Sequence, residues 1–235
     1  MAEIADELDL TLYADAKELI DEVVAQTLQN IADGLVAKSR FDLALTGGTL
    51  GLAISSKLVE SFNKAATKYE SLHIWFSDER YVAAASEDRN ALPFHQKLTN
   101  QDISIHEVLA SDNSKSATEA FLDYEDQLAQ VSLDLVILGV GPDGHVASIF
   151  PSASNIDDMR KVFLIEDSPK PPSTRVSFTM ATINSSENVW LVASGESKAN
   201  AVSKILEGDT SIPASYVRGS RHTRLIIDTE AFFAE

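Results

Sequence analysis

The run Leu135-Val136-Ile137-Leu138 is wholly apolar and half β-branched, and it breaks without transition into Gly139-Val140-Gly141-Pro142-Asp143-Gly144-His145. A short apolar run bounded by turn residues reads as a strand buried on both faces, the habit of parallel sheets covered by helices. The turn that follows delivers an Asp and a His two residues apart. Glycines let the backbone take positive φ and come close to a ligand. Histidine is the side chain most easily poised to move protons near neutral pH. Open α/β sheets bind their ligands outside the carboxyl ends of the strands, so this turn is a candidate site.

The rest of the chain repeats the rhythm. Over residues 13–38 apolar side chains fall at Ala16, Leu19, Ile20, Val23, Val24, Leu28, Ile31 and Leu35, the period of a helix with one buried stripe. Phe41-Asp42-Leu43-Ala44-Leu45 reads as a strand running through Thr46-Gly47-Gly48-Thr49 into a helix that ends near residue 62. Leu72-His73-Ile74-Trp75-Phe76 is a second strand, ending in Ser77-Asp78-Glu79-Arg80. Helical spacing over residues 118–130 leads into the strand at 133–138. Residues 187–193 are strand-like and break at Ser194-Gly195, a helix follows over 197–206, and 224–227 supply a last strand. Strands alternating with helices predict an α/β fold, Rossmann-like and doubly wound, with a mostly parallel sheet flanked by helices. No joint interrupts the pattern, so residues 1–235 are expected to form one domain. Residues 168–172 hold three prolines and are expected to be a loop of no fixed place on the surface.

Composition narrows the functional classes. The chain is 44% hydrophobic, enough for a sizeable core, yet no run is long and apolar enough to span a bilayer. Residues 1–7 are acidic and lack the basic and apolar regions of a signal peptide, so a cytoplasmic location is expected. There is no cysteine, which excludes disulfides and thiolate metal sites. With 36 acidic residues against 19 Lys and Arg, the formal charge is −17, which disfavours nucleic acid and anionic membranes as partners. An anionic ligand would need the few cations gathered locally.

Four predicted strands end in non-core residues, at 46–49, 77–80, 139–145 and 194–198. In a parallel sheet these ends lie along one edge, and together they carry a His, carboxylates and two cations. Thr46-Gly47-Gly48-Thr49 is either an anion cradle at a helix N-terminus or a tight turn that caps the helix. It is not a P-loop, since no Gly-Lys-Ser/Thr follows. Asp78-Glu79-Arg80 offers a carboxylate and a guanidinium, though alone it reads as a solvated strand end. Asp143 and His145 are the strongest local candidates against the alternative of a core histidine, because flanking glycines imply tight backbone. His73, His95, His106 and His222 lack such a setting and are expected to be structural or surface residues. Lys198, in the first turn of the last long helix, opposes the helix dipole, a conflict an anion would relieve. Arg175 by itself is uninformative. No His-x-x-x-His pair supports a metal site.

At these residues the chain resembles the 6-phosphogluconolactonases, which share a superfamily and a Rossmann-like fold with the glucosamine-6-phosphate deaminases. The matching segments are Leu45-Thr46-Gly47-Gly48, Phe76-Ser77-Asp78-Glu79-Arg80-Tyr81-Val82, Asp88-Arg89-Asn90 and the stretch from Leu138 through His145 to Pro151. Pro169-Lys170-Pro171-Pro172, Arg175-Val176-Ser177, Gly195-Glu196-Ser197-Lys198-Ala199 and Pro213-Ala214-Ser215 complete the set, in the family's order. Deaminases of the superfamily place a Glu five residues after the His, where this chain has Phe150. The first loop departs from the Gly-Gly-Ser-Thr-Pro of many lactonases, reading Gly47-Gly48-Thr49-Leu50-Gly51.

The resemblance implies hydrolysis of 6-phospho-D-glucono-1,5-lactone to 6-phosphogluconate, the second step of the oxidative pentose phosphate pathway, without metal or other cofactor. It implies His145 as general base, Asp143 as its orienting partner, and backbone N–H groups of the glycine turn with Arg80 at the oxyanion. Substrate and phosphate contacts would fall to Thr46, Gly47, Gly48, Thr49, Asp78, Gly141, Gly144, Arg175 and Lys198. The alternatives are an amino-sugar-phosphate deaminase, disfavoured by Phe150, and a sugar-phosphate-binding protein without catalysis, disfavoured by the intact Asp143/His145 pair. The expected partner is the small sugar phosphate lactone, the chain being a monomer or weak homo-oligomer.

Overall fold

The computed structural model describes residues 8–65, 69–151 and 156–233. The acidic segment 1–7 lies outside the described residues. In chain order the elements are β1 (Asp9–Tyr13), α1 (Ala16–Ala37), β2 (Phe41–Leu45), α2 (Gly48–Lys64), β3 (Leu72–Phe76), β4 (Asp78–Arg80), α3 (Leu92–Lys97) and β5 (Ser104–Ile105). There follow α4 (Ala117–Leu128), β6 (Leu135–Gly139), β7 (Val162–Ile165), β8 (Arg175–Phe178), α5 (Met180–Ser185) and β9 (Asn188–Ala193). The chain closes with α6 (Ala199–Glu207), β10 (His222–Asp228) and α7 (Thr229–Phe232).

Among the described residues seven strands form one sheet in the order β1-β10-β9-β6-β2-β3-β5, and every neighbouring pair is parallel. Side chains alternate between the two faces with the period of two that a pleated strand imposes. Val189, Leu191 and Ala193 of β9 enter one core with α4, α5, α6 and α7, while Trp190 and Val192 enter the other with α1, α2 and α3. Burial on both faces is why these strands read as unbroken apolar runs. The chain leaves β2 toward β3 and β5, then returns through α4 to lay β6 on the other side of β2. The border between β2 and β6 is therefore the point where strand order reverses, and a crevice opens there beyond the carboxyl ends.

Helix starts follow their local chemistry. The Asp15 carboxylate accepts from the Glu18 N–H at the start of α1, and Ser116 and Glu119 form a reciprocal capping box at α4. By contrast α2 begins at Gly47 with no side-chain cap.

The structure corrects the sequence reading in four places. Residues 9–13 form an edge strand beside β10, a short piece whose Leu10 and Leu12 are exposed and so gave no buried signal. Asp78-Glu79-Arg80 is itself a strand and not a solvated end. It pairs antiparallel with β8, which pairs with β7 in a second, three-stranded sheet. Lys198 closes a 3₁₀ turn, Glu196–Lys198, ahead of α6 instead of lying inside that helix. The proline-rich loop joins β7 to β8 and returns to the sheet edge, where it has a fixed place beside His145. No helix among the described residues is long and apolar enough to cross a membrane.

Candidate active site

The carboxyl ends of the strands enclose a cavity of about 560 Å³. Its walls bring together Thr46, Gly47, Gly48 and Thr49 after β2, Asp78 and Arg80 from β4, and Gly139, Gly141 and His145 after β6. Arg175 from β8, with Ser194, Ser197 and Lys198 after β9, completes the lining. The structure thus gathers most of the sequence candidates onto one surface. Asp143 stands behind His145, hydrogen-bonded to its Nδ1. Gly144 packs away from the cavity, where a Cβ would lie 2.5 Å from that of Ile212.

The glycine turn exists to seat the imidazole. A Cβ on Gly141 would fall 1.9 Å from His145 Nδ1 and 2.6 Å from Asp143 Oδ1, so the ring lies directly over bare backbone. The turn closes on itself: Gly141 N–H donates to the His145 carbonyl, and Gly144 N–H to that of Gly141. These two N–H groups are therefore spent on the loop and are not free for an oxyanion. Nδ1 is committed to Asp143, and among the described residues Nε2 carries no hydrogen bond. Burial lowers the imidazole below its ordinary value; the Asp143 hydrogen bond and charge oppose this, and the Lys170 charge adds to it. Burial pushes the Asp143 carboxyl up, but the hydrogen bonds and charges of His145 and Lys170 outweigh it and hold the group at about 2. The pair at neutral pH is a carboxylate and a neutral ring with Nε2 available as a base. Phe150 packs against the ring, with centroids 4.9 Å apart.

The other end of the cavity suits an anion. The first N–H groups of α2 have no partner within the helix, and no side chain caps them. The turn is tight because Gly47 lies against Asn90, whose Oδ1 would be 1.9 Å from any Cβ there. Asn90 is fully buried and donates to the Asp78 carbonyl at 2.7 Å, which ties the β2 loop to β4. Lys198 lines the same cavity without an ion pair among the described residues. Burial pushes its ammonium down, as does the nearby Lys170 charge, while Asp143 opposes.

Between the two ends lie Asp78, Arg80 and Arg175. Asp78 is buried and accepts from Ser148 Oγ at 2.7 Å. Arg80 donates through Nη1 to the Asp88 carbonyl, and among the described residues its Nη2 makes no hydrogen bond. Arg175 lines the cavity, yet its Nε and Nη2 are committed to the carbonyls of Pro172 (3.0 Å), Lys170 (2.8 Å) and Pro171 (3.1 Å). Nη1 donates to Ser148 Oγ at 3.3 Å and retains one N–H. Glu79 is a scaffold group: fully buried, it accepts from the N–H groups of Arg80, Asn90 and Ala91.

Sequence reasoning missed Lys170, Asn90 and Ser148. All three stand in the segments that carry the resemblance, and the triple proline around Lys170 was the available signal of a constrained loop. The remaining histidines lie elsewhere: His73 and His106 contact each other at 2.8 Å, His106 stacks on Trp75, and His95 pairs with Glu107.

The sequence profile of a family described as glucosamine-6-phosphate isomerases/6-phosphogluconolactonase matches residues 14–227. A 6-phosphogluconolactonase from Streptomyces coelicolor is 31% identical, covering 97% of this chain and 95% of its own length. The crystal structure of a 6-phosphogluconolactonase from Thermotoga maritima superposes with a TM-score of 0.82 at 30% identity, over 95% of this chain and all of the other. A monomeric glucosamine-6-phosphate deaminase also superposes, with a TM-score of 0.78 at 21% identity, over 95% of this chain and 98% of its own. The fold is therefore common to both branches, and the site must separate them.

Proposed function

The chain belongs to the glucosamine-6-phosphate isomerase/6-phosphogluconolactonase family, and from that premise we propose that it hydrolyses 6-phospho-D-glucono-1,5-lactone to 6-phosphogluconate. One observation carries the choice of branch: the residue packed on the His145 ring is Phe150, which has no proton to give or take. Lactone opening requires one base, one water and a donor for the oxyanion. Deamination of an amino sugar also moves protons among oxygen, carbon and nitrogen, and the apolar ring removes a carrier where a relay would act.

In this reading the phosphate sits at the N-terminus of α2, against Thr46 to Thr49, with Lys198 as its cation. Gripping that end fixes the lactone carbonyl near His145 and converts part of the activation entropy into binding. His145 Nε2 takes a proton from water as the water oxygen attacks the carbonyl carbon. The imidazolium formed is held by Asp143 through Nδ1–H. Charge that develops on the carbonyl oxygen meets the free Nη2 of Arg80 and the spare N–H of Arg175 Nη1. Collapse of the tetrahedral intermediate breaks the bond to the ring oxygen, which receives the proton from Nε2. The product leaves as the open-chain carboxylic acid, which gives its remaining proton to solvent and becomes the carboxylate, and His145 is neutral again.

The test is hydrolysis of freshly generated 6-phosphogluconolactone beside ammonia release from glucosamine 6-phosphate, with spontaneous lactone opening subtracted. Enzyme-dependent lactone hydrolysis with no ammonia is the expected result. Ammonia release without hydrolysis above background overturns the reading.

A further inference from the structure

The loop between β7 and β8 contributes a cation that the mechanism above does not use. Lys170 Nζ lies 3.1 Å from both Asp143 oxygens and 3.1 Å from His145 Nδ1. Its placement is built in. Arg175, only 4% exposed, binds the carbonyls of residues 170, 171 and 172, so the loop backbone is fastened by a buried guanidinium. Pro169, Pro171 and Pro172 remove three φ freedoms around the lysine. A surface ion pair would need neither device.

We propose that Lys170 is a positioning residue for the base: its ammonium holds the Asp143 carboxylate against His145 and keeps the imidazole neutral. The reasoning is electrostatic. A carboxylate hydrogen-bonded to imidazole favours the imidazolium, and a base already protonated cannot take a proton from water. An ammonium that shares the same carboxylate cancels much of that field, and it repels a second positive charge on the ring beside it. The carboxylate then orients Nδ1–H without charging the ring. The other charges around the imidazole are Asp78, which favours protonation, and the cations Arg80, Arg175 and Lys198 on the remaining walls, which do not.

The inference deepens the lactonase reading and rests on it for its kinetic arm alone. Lys170→Met and Lys170→Arg are compared with the unaltered protein in two measurements. One is the NMR titration of His145, assigned with His145→Gln. The other is the pH profile of kcat/KM for the phosphorylated lactone. In Lys170→Met the ring should titrate at higher pH, and activity should fall about three- to tenfold more at pH 6 than at pH 8, as expected for removing one unit charge at hydrogen-bond distance from a largely buried ring whose neighbours reach solvent. Lys170→Arg, which keeps the charge, should restore both. An unchanged His145 titration in folded Lys170→Met, or an equal loss at all pH values, overturns the proposal and leaves Lys170 a structural loop residue. Should the unaltered protein fail to hydrolyse the lactone, the functional reading falls, and the titration by itself decides the role of Lys170.

Discussion

Gly141→Ala isolates the placement of the base from its chemistry. The added methyl would stand 1.9 Å from His145 Nδ1 and 2.0 Å from Cε1. Ordinary contact needs about 3.5 Å, so the ring must retreat by roughly 1.5 Å. Gly141 is not among the residues with positive φ, so alanine is free of backbone strain and the clash is the whole perturbation. A misplacement of about 1 Å at a reacting group can cost about 10²-fold, equivalent to roughly 2.7 kcal/mol in the barrier. The stability cost is smaller. An off-rotamer ring costs about 0.5–1.5 kcal/mol and a lost hydrogen bond about 1 kcal/mol, while alanine returns about 0.4–1 kcal/mol by restricting the unfolded chain. The net of about 0.5–2 kcal/mol predicts a Tm lowered by roughly 1–8 °C for a protein of this size. KM should change little, since the proposed phosphate site at the N-terminus of α2 is left unaltered. Thermal melts and steady-state kinetics on the phosphorylated lactone make the check. A folded variant with unaltered kcat would refute the reasoning, because the ring's seat on bare backbone would then be irrelevant to turnover.

His145→Ala should lower kcat by roughly 10²–10⁴-fold with the fold intact by circular dichroism, and near-normal turnover would exclude it as the base. In the unaltered enzyme the neutral ring is the active form, so kcat/KM should fall as pH drops. Burial lowers the imidazole, hence that fall should lie on the acid side of the ordinary histidine range. Lys198→Ala should raise KM for the phosphorylated lactone about 10-fold or more while sparing an unphosphorylated one, as expected for a charge-assisted contact made to phosphate alone. Arg175→Ala should behave differently, slowing both lactones alike and lowering Tm, because most of its donors hold the Lys170 loop. A loss confined to the phosphorylated substrate would return Arg175 to the phosphate site.

The parts legible in the sequence were those governed by local signals. β2, β3, β6 and β9 announced themselves because burial on both faces demands apolar runs, and α1 and α4 because a one-sided helix must repeat its stripe. The glycine turn with His145 was legible for the same reason, since a strand that ends in glycines has few structural explanations. What escaped depended on pairing at a distance. Asp78-Glu79-Arg80 reads as solvent-facing by composition, yet Glu79 is buried. Its burial is made tolerable by three backbone N–H donors, two of them at residues 90 and 91. Lys170 escaped because nothing in its neighbours says where a loop lands. That is decided by Arg175, five residues on, whose Nε and Nη2 bind the loop carbonyls while Nη1 retains one N–H.

The distribution of charge at the cavity argues for its ligand. Asp78 is satisfied by Ser148 and Asn90, and Asp143 by His145 and Lys170. Each carboxylate is thus paired within the protein. Of the cations, Lys170 pairs with Asp143 and Arg175 with Asp78, but two are left over: among the described residues Lys198 lacks an ion pair, and Arg80 keeps an unbonded Nη2. In a chain of net charge −17, carboxylates to pair with them are abundant, so leaving these two unpaired is not a shortage of partners. A half-buried ammonium without a protein anion carries a desolvation cost that a phosphate would offset. The uncapped N-terminus of α2 adds donors of the same polarity to the same cavity. In the proposed reading the site is therefore complementary to a dianion and, beside Nε2, to a neutral, hydrolysable group, and a phosphorylated lactone carries both.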